Sequence, residues 1–197
     1  MLRRGLRLDE GVDASDLVGG ANRILVYGVT GSGKTTLASR LSTLTGIAWH
    51  SVDDLTWEPG WIAVSDDEQR RRIDAICARS SWILDTAYGA WLDIPLPRTE
   101  LIVGLDYPRW FTFQRLLRRS LARVIDHRPI CNGNYETVRN MLADDSILRW
   151  HASSYARKSA RIRQWENDPA APRVLRFTSA RQTEAWLAGR IQVWPSG

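Results

Sequence analysis

One loop of the sequence has its glycines, lysine and threonine spaced as in a phosphate-binding site. The segment Gly28-Val29-Thr30-Gly31-Ser32-Gly33-Lys34-Thr35 places glycine at its first and sixth positions, directly before the lysine and threonine. Glycines let the backbone turn successive N–H groups toward one phosphate chain, and the N-terminus of a following helix adds partial positive charge. The residues expected to bind ATP are Gly28, Thr30, Gly31, Ser32, Gly33, Lys34, Thr35 and Thr36.

Two side chains of this loop are suited to the terminal phosphates and to a metal ion. Lys34 is expected to reach the β- and γ-phosphates, and the Thr35 hydroxyl is expected to ligate Mg²⁺. An apolar run over residues 24–27 precedes the loop, and a helix-forming stretch over 35–43 follows it. Because strand and helix are correctly placed, a chance match in a glycine-rich turn is the weaker interpretation. Lysine is also scarce in this chain, so a lysine at this position is informative.

Asp85 closes the apolar run Trp82-Ile83-Leu84, which predicts a carboxylate at the end of a strand. Ligands of open α/β sheets bind outside the carboxyl ends of the strands. From there a carboxylate can hold a Mg²⁺-bound water. Thr35 and Asp85 are therefore the predicted metal residues.

Two other acids follow predicted strands. Asp53 comes after a weaker strand over 48–52 and is the candidate general base, with a solvated acidic turn or a helix cap as the alternative. Asp106 precedes Tyr107-Pro108-Arg109, so we favour a helix cap for it over a role in the site.

Arginines cluster in the second half of the chain. Those at 109, 115, 118, 119, 123 and 128 interleave with an apolar stripe and predict an amphipathic basic helix. Arg115, Arg119 and Arg123 recur every four residues and share one face, which could approach transferring phosphates or be simply solvated. Lys34, Asp53, Arg115 and Arg119 are thus the candidate catalytic residues. A turn-rich loop over 127–136 and a second basic cluster, Arg157, Lys158, Arg161 and Arg163, could complete a lid.

The segment Trp57-Glu58-Pro59-Gly60-Trp61 puts two indoles around a turn shortly after Asp53. They could form the wall of an acceptor pocket, or they could merely pack on the sheet. Trp91, Trp110 and Trp150 are expected to pack.

The 197 residues suit one α/β domain. Apolar runs at 24–27, 82–84, 101–105 and 174–177 alternate with helical spacing, which predicts a parallel, doubly wound sheet. A closing helix over 179–189 should bury Trp186 and Leu187. The predicted organisation is a flexible arm over 1–22, one domain over 23–190 with a lid at about 112–165, and a tail over 191–197.

Composition limits the function classes. The chain has a formal net charge of +5 and two cysteines, and it has no long uncharged apolar run. These features predict a protein without a membrane span in a reducing compartment, with the cytoplasm as the default. The basic charge allows nucleic acid as a partner, but its concentration in two arginine clusters favours phosphate clamps.

Four segments together resemble the adenylate-kinase-related P-loop proteins often labelled DNA topology modulation proteins. They are the glycine loop, Asp53-x-Leu55-x-Trp57-x-Pro59-Gly60-Trp61, Trp82-Ile83-Leu84-Asp85, and Leu105-Asp106-Tyr107-Pro108-Arg109-Trp110. The resemblance spans roughly residues 23–190 and implies a nucleoside-monophosphate-kinase-like P-loop NTPase fold. Such a fold has three α/β/α layers, a five-stranded parallel sheet and a helical, arginine-rich lid.

Two departures from related patterns concern the acceptor. The group's usual Asp-Gly-Asn-Tyr element reads Asp85-Thr86-Ala87-Tyr88 here, which could reshape the acceptor pocket. The Asp-Gly-Phe-Pro-Arg element of adenylate kinases is absent as well.

The sequence therefore predicts a kinase that uses ATP and Mg²⁺ on a nucleotide or small-molecule acceptor, with the oligomeric state left open. The alternatives are a nucleotide-dependent regulator or nucleic-acid-associated ATPase, and a degenerate kinase that binds ATP without turnover.

Overall fold

The computed structural model describes residues 14–126, 132–134 and 147–189. The strands are β1 (Arg23–Gly28), β2 (Trp49–His50), β3 (Trp57–Glu58), β4 (Ile62–Ala63), β5 (Trp82–Leu84), β6 (Leu101–Leu105) and β7 (Arg173–Phe177). The helices are α1 (Ala14–Leu17), α2 (Lys34–Thr45), α3 (Val52–Thr56), α4 (Asp66–Cys77), α5 (Arg109–Asp126), α6 (Ile147–Asn167) and α7 (Ala180–Leu187).

Five strands form one parallel sheet in the order β2-β5-β1-β6-β7. All residues of β5 and β6 are buried, because helices cover both faces of the sheet and only apolar side chains fit between the layers. β3 and β4 form a separate antiparallel hairpin. The predicted α/β class with a five-stranded parallel sheet is confirmed.

The weaker strand predicted over 48–52 is shorter in the structure. It covers only Trp49 and His50, and Val52 begins α3. The amide of Val52 donates to the Asp85 carboxylate at 2.9 Å. That hydrogen bond takes Val52 out of the sheet ladder and starts the helix that carries Asp53.

Two apolar layers enclose the sheet. Leu37 and Leu41 of α2 pack on one face together with Trp186 and Leu187 of α7, as predicted for the closing helix. On the other face, α4 and α6 pack against β1 and β5 with the side chains of Ile73, Ile162 and Trp165. The glycine loop and the long α6 helix are therefore both anchored to the central strand.

The packed core extends into the segment before β1. Leu17, Val18 and Ala21 are buried with the α2 and α7 residues, and the indole nitrogen of Trp186 donates to the Leu17 carbonyl at 3.1 Å. The core thus reaches back beyond the predicted boundary at residue 23. Residues 1–13 and 190–197, which include most of the predicted arm and the tail, lie outside the described residues.

The tryptophans predicted to pack behave differently from one another. Trp91 is fully buried, and its indole nitrogen donates to the Gln69 side chain at 3.1 Å, as expected for a buried indole. Trp110 is 68% exposed, so the packing prediction for it is wrong. It lies in the first turn of α5. The side chain of Trp150 lies outside the described residues.

α5 and α6 are the longest helices in the described ranges, and both carry arginines along much of their length. No helix there combines the length and the apolar character needed to cross a membrane.

Candidate active site

The glycine loop is held in a conformation that requires glycine. Gly31 and Gly33 have φ angles of 83° and 97°, in the left-handed region that other residues rarely adopt. A Cβ atom on Gly31 would lie 2.4 Å from the carbonyl oxygen of Thr112 on α5. Gly33 then precedes the first residue of the twelve-residue helix α2, Lys34. The loop therefore presents a helix N-terminus, where free amides and the helix dipole attract an anion.

Lys34 lies within electrostatic reach of the two carboxylates predicted for the site. Its ammonium donates to the Val29 carbonyl at 3.1 Å. Burial lowers the pKa of Lys34, the charges of Asp53 and Asp85 raise it, and the charge of Arg119 lowers it. The fold thus brings four separately predicted residues within electrostatic reach of one another.

Asp85 is the buried carboxylate of the site. It is 4% exposed and accepts the 2.9 Å hydrogen bond from the Val52 amide. Burial raises the pKa of its carboxyl group, while the hydrogen bonds from Val52 and from the Thr35 side chain lower it. Thr35 and Asp85 therefore lie together at the start of α2.

These two residues fit a hydrated magnesium ion. A hydroxyl and a carboxylate are the hard oxygen donors that Mg²⁺ prefers, and phosphate oxygens and water complete such a site. Within the described ranges, no group of three or more His, Cys, Asp or Glu side chains could hold a metal ion. A magnesium ion here would therefore depend on the bound nucleotide for most of its ligands.

Asp53 is exposed in the first turn of α3, and it does not cap the helix, because Ser51 occupies the cap position. One of its carboxylate oxygens accepts a 2.8 Å hydrogen bond from the Tyr88 hydroxyl. Burial and then the charge of Asp53 raise the pKa of Tyr88 well above its usual value, so the tyrosine keeps its proton and donates it. Sequence reasoning did not assign Tyr88 to the site.

The two arginines predicted on one face of α5 occupy different parts of the site. The guanidinium of Arg115 lies 3.2 Å from the position that a Cβ of Gly33 would take, and 5.5 Å from the centre of the Phe111 ring. It lines a cavity of about 50 Å³ beside the glycine loop, bounded on the far side by α7. Arg119 lies one turn further along and acts on Lys34.

The cap predicted for Asp106 is wrong. Its amide donates to the Phe177 carbonyl at 2.9 Å, so the residue still belongs to the sheet ladder and its side chain turns toward α6 and β7. The carbonyl of Pro108 instead accepts from the amides of Phe111 and Thr112 in the first turn of α5. The helix start is therefore organised without the Asp106 carboxylate.

The buried carboxylate of Asp106 is the centre of an ion-pair network with two partly exposed arginines. It accepts hydrogen bonds from Ser159, from Arg163 at 3.0 Å and from Arg176 at 3.3 Å. These contacts fix α6 to β7 behind the site. Arg163, which the sequence placed in a possible clamp, is therefore engaged in holding the fold.

Trp57 and Trp61 contact each other around the β3–β4 turn. Their rings meet edge to face with 5.8 Å between centroids, and both side chains are half-buried. Trp61 has a φ of 59°, a conformation that is unfavourable for a residue other than glycine. A local constraint must hold this turn.

Two asparagines from the segment between α5 and α6 provide that constraint. The side-chain oxygen of Asn134 accepts from the amides of Gly60 and Trp61 at 2.6 and 2.8 Å, and its NH₂ group donates to the Glu58 carbonyl at 3.1 Å. Asn132 donates to the carbonyls of Asp54 and Trp57 at 2.8 and 2.7 Å. Part of the predicted lid is therefore seated on the hairpin next to Asp53. The rest of the predicted loop, residues 127–131 and 135–146, lies outside the described residues.

Lys158 is a site residue that the sequence placed only in a general basic cluster. It lies on α6, is 6% exposed, and its ammonium is 5.6 Å from the centre of the Tyr27 ring. Burial, followed by the positive charge of Lys34, lowers its pKa to about 7. The available sequence signal was that Lys34 and Lys158 are the only lysines in the chain.

Several solved structures of kinases are similar to this chain. A shikimate kinase from Bacteroides thetaiotaomicron matches with a TM-score of 0.51 and 14% identity, over 85% of this chain and 94% of that one. A gluconokinase from Sinorhizobium meliloti 1021 matches with a TM-score of 0.47 and 15% identity over 85% and 92% of the two chains. A deoxyadenosine kinase from M. mycoides matches with a TM-score of 0.49 and 11% identity over 83% and 94%.

Sequence comparisons give no further assignment. No protein-family model matches the chain, and no curated protein is significantly similar to it. The resemblance to the topology modulation group therefore depends on the motifs alone. At these low identities the structural comparison shows the fold alone: an α/β fold with a five-stranded parallel sheet, similar to that of the shikimate kinase.

Proposed function

We propose that this protein is an ATP-dependent kinase that transfers the γ-phosphoryl group of Mg-ATP to a nucleotide or a small-molecule acceptor. The observation that carries the proposal is the position of Lys34, at the N-terminus of α2 and within electrostatic reach of both Asp53 and Asp85. The glycine loop supplies amides for the phosphates. Asp85, a carboxylate suited to metal binding, and Asp53, a carboxylate suited to an acceptor, both act on the same lysine.

Each residue of the site has its own role in the proposed phosphoryl transfer. The loop amides and Lys34 bind the β- and γ-phosphates, while Thr35 and Asp85 would hold Mg²⁺, which neutralises phosphate charge when bound. The acceptor oxygen attacks the γ-phosphorus as the bond to the β-phosphate oxygen breaks, and ADP leaves. Asp53, oriented by the Tyr88 hydroxyl, accepts the proton of a hydroxyl acceptor. Arg119 stabilises the charge that develops on the transferring group.

The finer assignment follows from the motifs. We place the protein with the adenylate-kinase-related topology modulation group, working in the cytoplasm. The group's name does not specify a reaction, so the proposal defines the activity by its chemistry.

The test is ADP production from Mg-ATP with a panel of nucleoside monophosphates, nucleosides and hydroxylic metabolites, using Lys34→Ala as the blank. A kinase gives ADP at a rate that one class of acceptor raises, and this increase disappears in the variant. ADP production that no acceptor raises, but that DNA or RNA stimulates, would favour a nucleic-acid-associated ATPase instead.

A further inference from the structure

The fold brings the only two lysines of the chain to one place. The sequence has 27 lysines and arginines, of which only Lys34 and Lys158 are lysines. Lys34 begins α2, and Lys158 lies more than a hundred residues later on α6. The charge of Lys34 is nevertheless the strongest single charge acting on the Lys158 ammonium. Two like charges are therefore held close together in a largely buried position.

The Lys158 ammonium has no anionic partner within bonding distance in the described ranges. Neither a hydrogen bond nor an ion pair of its side chain occurs there, and its close contact is the face of the Tyr27 ring at 5.6 Å. The main charges that act on it are those of Lys34 on α2, Asp53 on α3, and Arg157 and Arg161 on α6. Three of these are positive, and the strongest of them is Lys34. Burying an ammonium in this way is unfavourable unless an anion joins it.

The position of Lys158 points to the acceptor as the source of that anion. Lys158 lies over Tyr27, whose ring belongs to the apolar layer that also contains Val52 of α3 and packs against Tyr88. Asp53, which accepts the hydrogen bond from Tyr88 at the acceptor side, is also the carboxylate whose charge acts on the Lys158 ammonium. The helix that carries the ATP loop, α2, packs on the opposite face of the sheet.

We propose that Lys158 binds an oxyanionic group of the acceptor, so that the preferred acceptor already carries a phosphate or a carboxylate near the oxygen that is phosphorylated. This inference rests on the proposed function, because it names the class of acceptor for the same site. Arg157 and Arg161 add to the positive potential that attracts such a group. The lowered pKa means that the anion binds together with a proton when the pH is above about 7.

The first test does not depend on activity. The protein is produced with ¹³Cε-labelled lysine, which gives two lysine signals, and Lys158→Met assigns them. The nucleotide site is filled with Mg²⁺ and a non-hydrolysable ATP analogue. Inorganic phosphate, acetate, adenosine 5′-monophosphate and adenosine are then added as probes. We expect the Lys158 pKa to rise by about one unit or more with an anionic probe, and not with adenosine.

The phosphate and acetate arms distinguish the two sources of the anion. A response to inorganic phosphate and adenosine 5′-monophosphate alone assigns a phosphate-bearing acceptor, and a response to acetate alone assigns a carboxylate. A Lys158 signal that none of the anionic probes moves would overturn the inference. This result is obtained whether or not the protein turns over ATP.

The second test separates binding from chemistry. With an anionic acceptor, Lys158→Met should raise the acceptor KM about 10- to 100-fold, the range for a lost hydrogen bond to a charged group, and leave the KM for ATP within about twofold. Lys158→Arg should restore most of the affinity, and Arg79→Met controls for removal of an exposed cation. An equal loss of kcat with anionic and uncharged acceptors would refute the inference, because Lys158 would then act on the transferring group. A complete lack of acceptor-dependent ADP production would refute the kinase proposal, while the labelling experiment would still decide the role of Lys158.

Discussion

The carboxylate of Asp85 accepts a 2.9 Å hydrogen bond from the backbone amide of Val52, and this bond joins the end of β5 to the first residue of α3. The next residue along α3 is Asp53. The acid on the metal side and the acid on the acceptor side are therefore positioned by one contact, with Lys34 within reach of both.

Replacing Asp85 by asparagine tests the metal side. Asparagine keeps an oxygen for the Val52 amide, so the start of α3 should be preserved while the negative charge is lost. We expect the magnesium concentration for half-maximal activity to rise about 10- to 100-fold, the usual cost of losing a residue that supports a metal site. Activity measured against Mg²⁺ at saturating ATP checks this. An unchanged magnesium dependence would remove Asp85 from the metal site.

Replacing Asp53 by asparagine tests the candidate base. With a hydroxyl acceptor, kcat should fall about 10²- to 10⁴-fold, the range for loss of general base catalysis, whereas a phosphate acceptor needs little base and should lose much less. Asp54→Asn is the matched control, because Asp54 is the neighbouring exposed acid. Equal losses in the two variants would show that only the local charge matters.

Much of this site was predictable because it depends on local sequence. The glycine loop requires a fixed spacing in consecutive residues, and Asp85 directly ends an apolar run, so both are visible without a structure. The parallel sheet could be predicted because its strands are apolar on both faces. Asp106 was misassigned because its partners, Arg163 and Arg176, are more than 50 residues away in the chain.

The two arginines of α5 should have separable roles. Arg115 lies beside Gly33, so Arg115→Ala should raise the KM for ATP about tenfold or more through loss of a charged contact. Arg119 acts on Lys34, so Arg119→Ala should instead lower kcat about 10²- to 10³-fold. Steady-state kinetics against both substrates distinguishes the effects, with the exposed Arg118→Ala as control. The assignment fails if both variants change the same parameter by the same factor.

Asn134 should hold the hairpin that carries the tryptophan pair. Asn134→Ala removes the side-chain oxygen that accepts from the amides of Gly60 and Trp61, and it should lower the free energy of unfolding by about 1–3 kcal/mol. Hydrogen exchange of those two amides should become faster than in the unmodified protein. Asn132→Ala should leave them protected, because Asn132 binds the carbonyls of Asp54 and Trp57 instead. Unchanged exchange in Asn134→Ala would show that the turn holds its own conformation.

The buried lysines should make stability depend on pH just above neutrality. Lys158 has a pKa of about 7 in the folded protein and an ordinary, higher pKa when unfolded, so above pH 7 the unfolded chain binds more protons. Stability should therefore rise with pH, by about 1–2 kcal/mol between about pH 7 and 8.5. Lys158→Met should flatten this rise, as measured by denaturant unfolding. His50 and His151 have pKa values below their usual range, so their effect lies mainly below this window. Burial raises the pKa of Cys77 to about 11, so the unfolded thiol loses its proton first and opposes the rise slightly at the upper end of the window. A rise that persists in full in the variant would contradict the assignment.

The acceptor side was harder to predict because it is assembled from distant segments. The Tyr88 hydroxyl reaches Asp53 across 35 positions, and the asparagines reach the hairpin across more than 70. Lys158 belongs to an amphipathic helix with several cations, and spacing alone does not distinguish the buried one from its exposed neighbours. The packing of α6 against β1 decides which of these cations is buried.

The central claim is that the γ-phosphoryl group of ATP is transferred to an acceptor. The most direct measurement is the fate of the label from γ-³²P-ATP, incubated with Mg²⁺ and the acceptor panel and separated by chromatography. The account predicts that the label appears in a phosphorylated acceptor, and that Lys34→Ala abolishes this product. Label that appears only as inorganic phosphate with every acceptor, at a rate that still depends on Lys34, would contradict the kinase and identify an ATPase.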